Sequence, residues 1–409
     1  MLEILRGRAP ALRSRNFRLL WAGQAISVAG GQMQSVALNW HLYELTGSPV
    51  ALGAIGLVRV VPIVVFSLLG GAVADAHDRR RVLLLTQTVM ASIAATLGLL
   101  TQLGRITPAH IYALTALSAA TIAFNNPARQ AFTPSLVPRE HFANALSLAQ
   151  ITHQIANILG PMAAGALLAH SQLAACYWAN AASFGGVILA LLLIRPPQIT
   201  SPPAPPSTIS WSAVLEGLAF VRSNPILVWT ILLDFLATFF SSASALLPIF
   251  AKDVLHAGPR GYGILSAAPA AGSLLAGAFL ALTPTIRRQG VLILWAVTAY
   301  GAATVIFGAS TIFWLSWLAL AATGAADTVS TILRGTIRQL VTPEHLRGRM
   351  TAASMIFFMG GPQLGELEAG LVAAWIGAPW SVITGGVGCL LAVAWVAARA
   401  PQLRRYHGE

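Results

Sequence analysis

Twelve apolar segments separated by short loops leave this chain very few folds. The windows 82–104, 172–194, 289–326 and 369–398 contain no Asp, Glu, Lys or Arg. Each is long enough to cross a hydrocarbon core, which takes ~20 helical residues. Spans are expected at about 17–42, 51–74, 82–103, 109–134, 142–169, 172–194, 225–250, 262–283, 289–309, 312–339, 350–374 and 379–398. Barrel strands are excluded, because the segments are too long and lack strict alternation. Charged residues make up only 9% of the 409 and mean hydropathy is +0.71. So few charges cannot cover the surface of a soluble protein of this size. The chain is therefore an all-α membrane protein.

The arginines fall on one side. The N-terminal arm carries Arg6, Arg8, Arg13, Arg15 and Arg18. Alternate loops carry Arg79, Arg80, Arg81, Arg139, Arg195, Arg222, Arg287, Arg288, Arg347 and Arg349, and the tail Arg399, Arg404 and Arg405. The other side has Arg105, Lys252 and Arg260. The positive-inside rule then predicts both termini in the cytoplasm, as expected of a bacterial inner-membrane protein. It also accounts for the net charge of +12 without a nucleic-acid partner, since anionic inner-leaflet lipids suffice. Cys176 and Cys389 lie far apart inside apolar spans and imply neither disulfide nor metal. No cleavable signal peptide is expected, because the first apolar stretch is a full span.

The chain repeats itself. Asn16 and Trp21 open one half, Asn224 and Trp229 the other, with equal separation. GSPVALG at 47–53 matches AGPRGYG at 257–263, and Pro62 with Gly70 matches Pro269 with Gly277. LVPREH at 136–141 matches LVTPEH at 340–345; Gly160, Pro161 and Gly165 match Gly361, Pro362 and Gly365. The expected organisation is an arm at 1–16, a six-helix bundle at 17–195, a linker at 196–224, a second six-helix bundle at 225–398 and a tail at 399–409. The linker begins with a proline-rich stretch that cannot be helical. It ends in WSAVLEGLAFVR at 211–222, which reads as a short helix on the membrane surface. Two similar halves suit a transporter, because they can rock about a shared site.

Four landmarks sit where the major facilitator superfamily has its own. GGAVADAHDRRR at 70–81 resembles that superfamily's loop 2–3 signature through Gly71, Asp75, Arg79, Arg80 and Arg81, although Ala76 and Asp78 depart from it. The resemblance implies a conformational latch. The second-half copy is degenerate, with Ala278 and Leu282 at the glycine and aspartate positions. Gly160-Pro161-x-x-x-Gly165 resembles the antiporter-associated glycine-proline motif; its glycines permit close contact and its proline bends the span. LVPREHFANA and PEHLRGRM resemble the bacterial branch that contains the enterobactin exporter and related drug and macrolide efflux proteins. The fold implied is the major facilitator fold: twelve transmembrane helices in two pseudo-symmetric six-helix halves.

Carboxylates inside spans are costly unless paired, protonated or facing water. Asp234, Asp327 and Glu366 are therefore candidate proton carriers. Glu366 and Glu368 are ~200° apart around a helix and cannot both face one cavity. For Asp234 a structural bridge to an arginine remains an alternative. Arg59, three residues before Pro62, is placed to pair with an acid or attract an anion; His153 is a default packed histidine. In this superfamily the first, fourth, seventh and tenth spans line the cavity. That implies walls from Gln24, Gln32, Gln34, Asn39 and His41, from Asn125, Asn126 and Arg129, and from Phe235, Phe239 and Phe240. Mixed aromatic and amide walls suit a bulky amphipathic solute.

An ATP-driven pump needs a P-loop lysine, and the only lysine is Lys252 in Ala251-Lys252-Asp253. No HExxH, GxSxG or paired CxxC occurs, so an enzyme is not expected. The expectation is a monomeric secondary exporter of a small amphipathic solute, siderophore or drug-like. It would work by proton antiport and alternating access, with no cofactor. A lipid flippase of the same fold and a non-transporting sensor remain alternatives.

Overall fold

The computed structural model describes residues 9–195, 211–283 and 287–406. Most of the proline-rich stretch expected as linker lies outside these residues, as do Arg6 and Arg8 of the arm. Among the described residues twelve helices reach sixteen residues or more, and there is no strand. We number them α1 (Arg15–Thr46), α2 (Pro49–Ala76), α3 (Arg79–Gln102), α4 (Pro108–Phe132), α5 (Phe142–Leu168), α6 (Leu173–Leu193), α7 (Pro225–Phe240), α8 (Gly258–Leu282), α9 (Gln289–Ala309), α10 (Phe313–Val341), α11 (Arg347–Ile376) and α12 (Ala378–Arg399). A shorter helix, Trp211–Ser223, precedes α7 and packs against α11.

By length and hydropathy alone, seven helices of the described residues can cross a membrane. Those that fall short are α1, α4, α5, α10 and α11, which carry Gln24, Gln34, Asn125, His153, Asp327, Arg334 and Glu366, whereas Asp234 and Asn180 lie on α7 and α6, which do not fall short. Polar groups inside a membrane protein face one another or water rather than lipid. Helices in which such groups are numerous therefore have lower hydropathy than their neighbours.

One unit holds residues 1–41 and 61–209, the other 42–60 and 210–409. In the first, α3 packs along α4 and α6. Its core at the arginine-rich end joins Leu20, Leu83, Phe132, Leu136, Val187 and Leu191. Asn16 clamps the exit of α6: its Nδ2 donates to the Arg195 carbonyl at 3.0 Å and its Oδ1 accepts from the Arg195 amide at 3.3 Å. The matching Asn224 does another task, capping α7 by accepting from the Ile226 amide at 3.2 Å. The sequence repeat is thus looser in function than in position.

In the second unit α8 packs on α10, α9 on α10 and α12, and α7 on α11 and α12. The residues 42–60 belong here because Gly53 and Gly56 of α2 admit the α11 backbone at Glu366, Gln363 and Gly370. A side chain at Gly56 would run into the Gln363 carbonyl. Small residues let helix backbones approach this closely.

The seventh span is not the single helix expected at 225–250. α7 stops at Phe240, and the chain resumes through a 3₁₀ turn at Ala243–Leu246, a short turn at Leu247–Ile249 and a π-turn at Phe250–Val254. Ser242 Oγ reaches across to α11 and donates to the Pro362 carbonyl at 2.9 Å. Pro248 has no N–H to extend a helix back through the break.

Candidate functional site

Arg334, on α10, organises the second unit's interior. Its Nη1 is ion-paired with Asp234 Oδ1 of α7, and the two side chains are only 5% and 12% exposed. Its Nη2 lies 3.9 Å from Asp327 Oδ1, whose side chain is half-exposed. Arg334 Nη2 also donates to Thr331 Oγ1 at 3.0 Å, and Thr331 Oγ1 donates to Asp327 at 3.5 Å. Positions 327, 331 and 334 share one face because they are spaced by four and three residues on a helix. Tyr300 of α9 and Ser330 help line a small cavity of about 10 Å³ beside the charges. Ser330 Oγ is buried and finds no protein partner. Arg338, one turn beyond, lies within electrostatic range of Asp234 and Arg334.

This arrangement has two anionic partners for one buried guanidinium. Protonating Asp234 would cancel its hold on Arg334 and leave Asp327 as the nearer charge.

The first unit holds a second feature. At its arginine-rich end α1, α4 and α5 surround a cavity of about 520 Å³. Trp21 Nε1 donates to Thr152 Oγ1 at 2.9 Å and ties α1 to α5 on one wall. Gln24, Arg129 and His153 face the cavity among Phe17, Leu20 and Leu146.

The family model described as transmembrane secretion effector matches residues 7–407. The chain belongs to this family, within the major facilitator superfamily. The enterobactin exporter EntS of Citrobacter koseri is 25% identical over 390 residues, covering 95% of this chain and 93% of the relative. Macrolide efflux protein A of Streptococcus pyogenes is 25% identical over 295 residues, 71% of this chain and 72% of the relative. Among solved structures, a bacterial homologue of the iron transporter ferroportin in the inward-facing state matches with a TM-score of 0.72 at 18% identity. It covers 94% of this chain and 98% of that one. The nucleoside transporter NupG matches with a TM-score of 0.71 at 14% identity, covering 95% and 98%. The fold is the major facilitator fold of twelve transmembrane helices in two six-helix halves, and the protein is a membrane transporter, not an enzyme.

Within the transporter, the residues expected to line a cavity divide by helix face. Gln24 lines the large cavity. Gln32 lies over Gly160, where α1 crosses α5. Gln34 is turned to α6 instead: its Oε1 accepts from Asn180 Nδ2 at 2.7 Å. His41, two turns on, meets the Tyr177 hydroxyl at 3.1 Å on the same helix. Asn39 Oδ1 is buried without a hydrogen-bond partner. Asn125 is also structural, since its Nδ2 donates to Thr86 Oγ1 of α3 at 2.8 Å. Asn126 accepts from Arg129 Nη2 at 3.4 Å. Phe235 and Phe239 stack at 5.9 Å, and Phe235 meets Phe357 of α11 edge-on. They flank the α7–α11 crossing, where Gly361 abuts Thr238 and Gly365 abuts the Phe239 carbonyl. Each glycine-proline motif thus brings its helix against the first helix of its own half, α5 on α1 and α11 on α7.

Glu366 stands apart from Asp234 and Asp327. It lies over Gly56 at the α2–α11 crossing, accepts from Ser244 Oγ at 3.3 Å and is within electrostatic range of Arg59. In the loop signature, Arg79 Nη1 donates to the Ala131 carbonyl at 3.2 Å. Arg80 Nε and Nη2 donate to the Leu191 and Leu192 carbonyls at 2.7 and 3.1 Å. These arginines satisfy the orphan carbonyls at the ends of α4 and α6. Asp78, a departure from the motif, caps α3 by accepting from the Arg81 amide at 3.0 Å, while Gly71 is half-buried and Asp75 exposed. Replacing Arg80→Ala should cost about 1–2 kcal/mol through the lost carbonyl bonds, read as a lower melting temperature in detergent. An unchanged melting curve would mean the caps are met by solvent.

Arg334 was the omission. An arginine in the last third of a charge-poor span, seven residues after an aspartate, is visible in the sequence. Its partner on α7 is not.

Proposed function

We propose that this transporter is a proton-driven exporter of a small amphipathic organic solute, siderophore-like or macrolide-like, in the bacterial inner membrane. Both termini face the cytoplasm, and transport proceeds by alternating access. The observation that carries the reading is the Asp234–Arg334–Asp327 cluster. A buried carboxylate whose protonation frees a guanidinium for a second carboxylate couples proton binding to helix packing. Full-length similarity to an enterobactin exporter and partial similarity to a macrolide efflux protein support the direction and the solute class. The loop at 71–81 acts as the latch, and the glycine-proline crossings as the points about which α5 and α11 bend. The membrane potential supplies ~2.3 kcal/mol per charge per 100 mV, enough to drive such a solute uphill.

The test uses inverted membrane vesicles with an acidified lumen. Adding siderophores, macrolides, cationic dyes or lysophospholipids in turn should release protons for one class and not in vesicles lacking the protein. Asp234→Asn should abolish gradient-driven uptake into the vesicles and keep solute exchange at equilibrium. Driven uptake that survives this change would remove Asp234 as the carrier. Release by lysophospholipids alone would make the protein a lipid transporter instead.

A further inference from the structure

We infer that the cavity between α1, α4 and α5, lined by residues of the N-terminal unit, is a binding site for the anionic group of an amphipathic ligand. Its volume, about 520 Å³, falls in the range of small-molecule sites. Arg129 and His153 supply its ionisable groups, and no carboxylate lines it. Among the described residues the guanidinium makes one long hydrogen bond, to the neutral amide of Asn126 at 3.4 Å. Four of its five donors are thus not engaged by that bond, and its charge has no counter-ion in the cavity wall. His153 stands within electrostatic range of Arg129, which adds no negative charge. A cation without a counter-charge among the described residues of its pocket selects an anion, and a guanidinium prefers a planar carboxylate or a phosphate that takes two N–H groups.

The rest of the wall describes the ligand's body. Phe17 and Leu20 form an apolar floor, Leu146 is an exposed apolar lip, and Gln24 and Gln150 offer amides to polar substituents. A ligand with an acidic group and an apolar or aromatic body fits both features. Neutral and cationic analogues lose the guanidinium contact, or meet it with like charge. This deepens the exporter reading, since it names a substrate class. The site's existence does not require that reading, so binding rather than transport is measured.

The full-length protein in detergent would be titrated by equilibrium dialysis with 2-naphthoate, 2-naphthamide and 2-naphthylmethylammonium. One naphthoate should bind, at least about tenfold tighter than the amide, as expected for a charge-assisted pair. The ammonium should bind more weakly still. Arg129→Gln should erase the preference for naphthoate and Arg129→Lys should keep part of it. Gln150→Glu, an exposed position that leaves Arg129 in place, should weaken naphthoate about tenfold by supplying a competing carboxylate. Equal binding of the three probes, or an unchanged preference in both Arg129→Gln and Gln150→Glu, would overturn the proposal. The source of the anion is separated in nanodiscs. If phosphatidylglycerol, compared with pure phosphatidylcholine, displaces naphthoate from the wild type and not from Arg129→Gln, the occupant is a lipid headgroup. If it does not displace naphthoate, the site takes a soluble acid.

Discussion

Replacing Arg334→Gln should destabilise the transporter by about 3–5 kcal/mol, one of the two largest effects expected of any single change here. The reason is the partner left behind. Asp234 is 9% exposed, and its carboxylate lies against a guanidinium that is itself almost wholly buried. Without that positive charge the carboxylate must stay ionised in a poor solvent or take up a proton. Asp327 cannot compensate, because it carries the same sign and lies on the far side of Arg334. Thr331 would lose the bond from Arg334, although it can keep the one to Asp327. The measurement is thermal unfolding of the purified protein in detergent. A double change, Asp234→Asn with Arg334→Gln, should recover most of the loss, since removing both charges leaves nothing unpaired. A double variant as unstable as Arg334→Gln alone would show that the guanidinium acts through packing and not through the pair.

Gly324→Val should be as severe, by a different mechanism. Gly324 of α10 and Gly272 of α8 face each other's helices at a crossing without room for a Cβ. A Cβ at Gly324 would run into the Pro269 backbone, and one at Gly272 into the Ala321 carbonyl. Ser273 Oγ donates to the Gly324 carbonyl at 3.0 Å across the same contact. Because the obstacles are backbone atoms, no rotamer change relieves them, and the helices must separate. Overpacking typically costs about 1–3 kcal/mol and more when backbone must move. A branched side chain here should therefore lower the yield of folded protein sharply, with Gly324→Ala intermediate. Gly185→Ala, on α6, where a Cβ meets nothing within 4 Å, is the matched control and should be silent. Equal yields of the Gly324→Val and Gly185→Ala proteins would mean that α8 and α10 separate at little cost.

Much of the fold was legible because a bilayer imposes simple demands on a chain. Charge-free windows, loop arginines and an ordered set of repeated landmarks locate helices and halves without any knowledge of contacts. The break within the seventh span, which is otherwise where the sequence puts it, has a local cause that hydropathy does not register. Ser241, Ser242 and Pro248 interrupt a run that remains apolar throughout, and Ser242 is held by a carbonyl on another helix. The candidate site was half legible. Asp234 and Asp327 stand out as acids in apolar spans. Gln34 and Asn125 look identical in kind to Gln24, yet they bond to α6 and α3 while Gln24 faces a cavity.

The sequence by itself determined the solvent this protein folds in, its helical class, its repeat and its family, because these depend on composition, order and spacing along one chain. Only the tertiary structure decided which polar groups are spent on each other and which are left to act. It pairs Asp234 with Arg334 across α7 and α10, sets Glu366 apart on the α2–α11 crossing, and leaves Arg129 over an open cavity. The physical reason is that a side chain's partner depends on the rotation and crossing of helices distant in sequence. Those are set by close glycine contacts whose pairing a single sequence does not record.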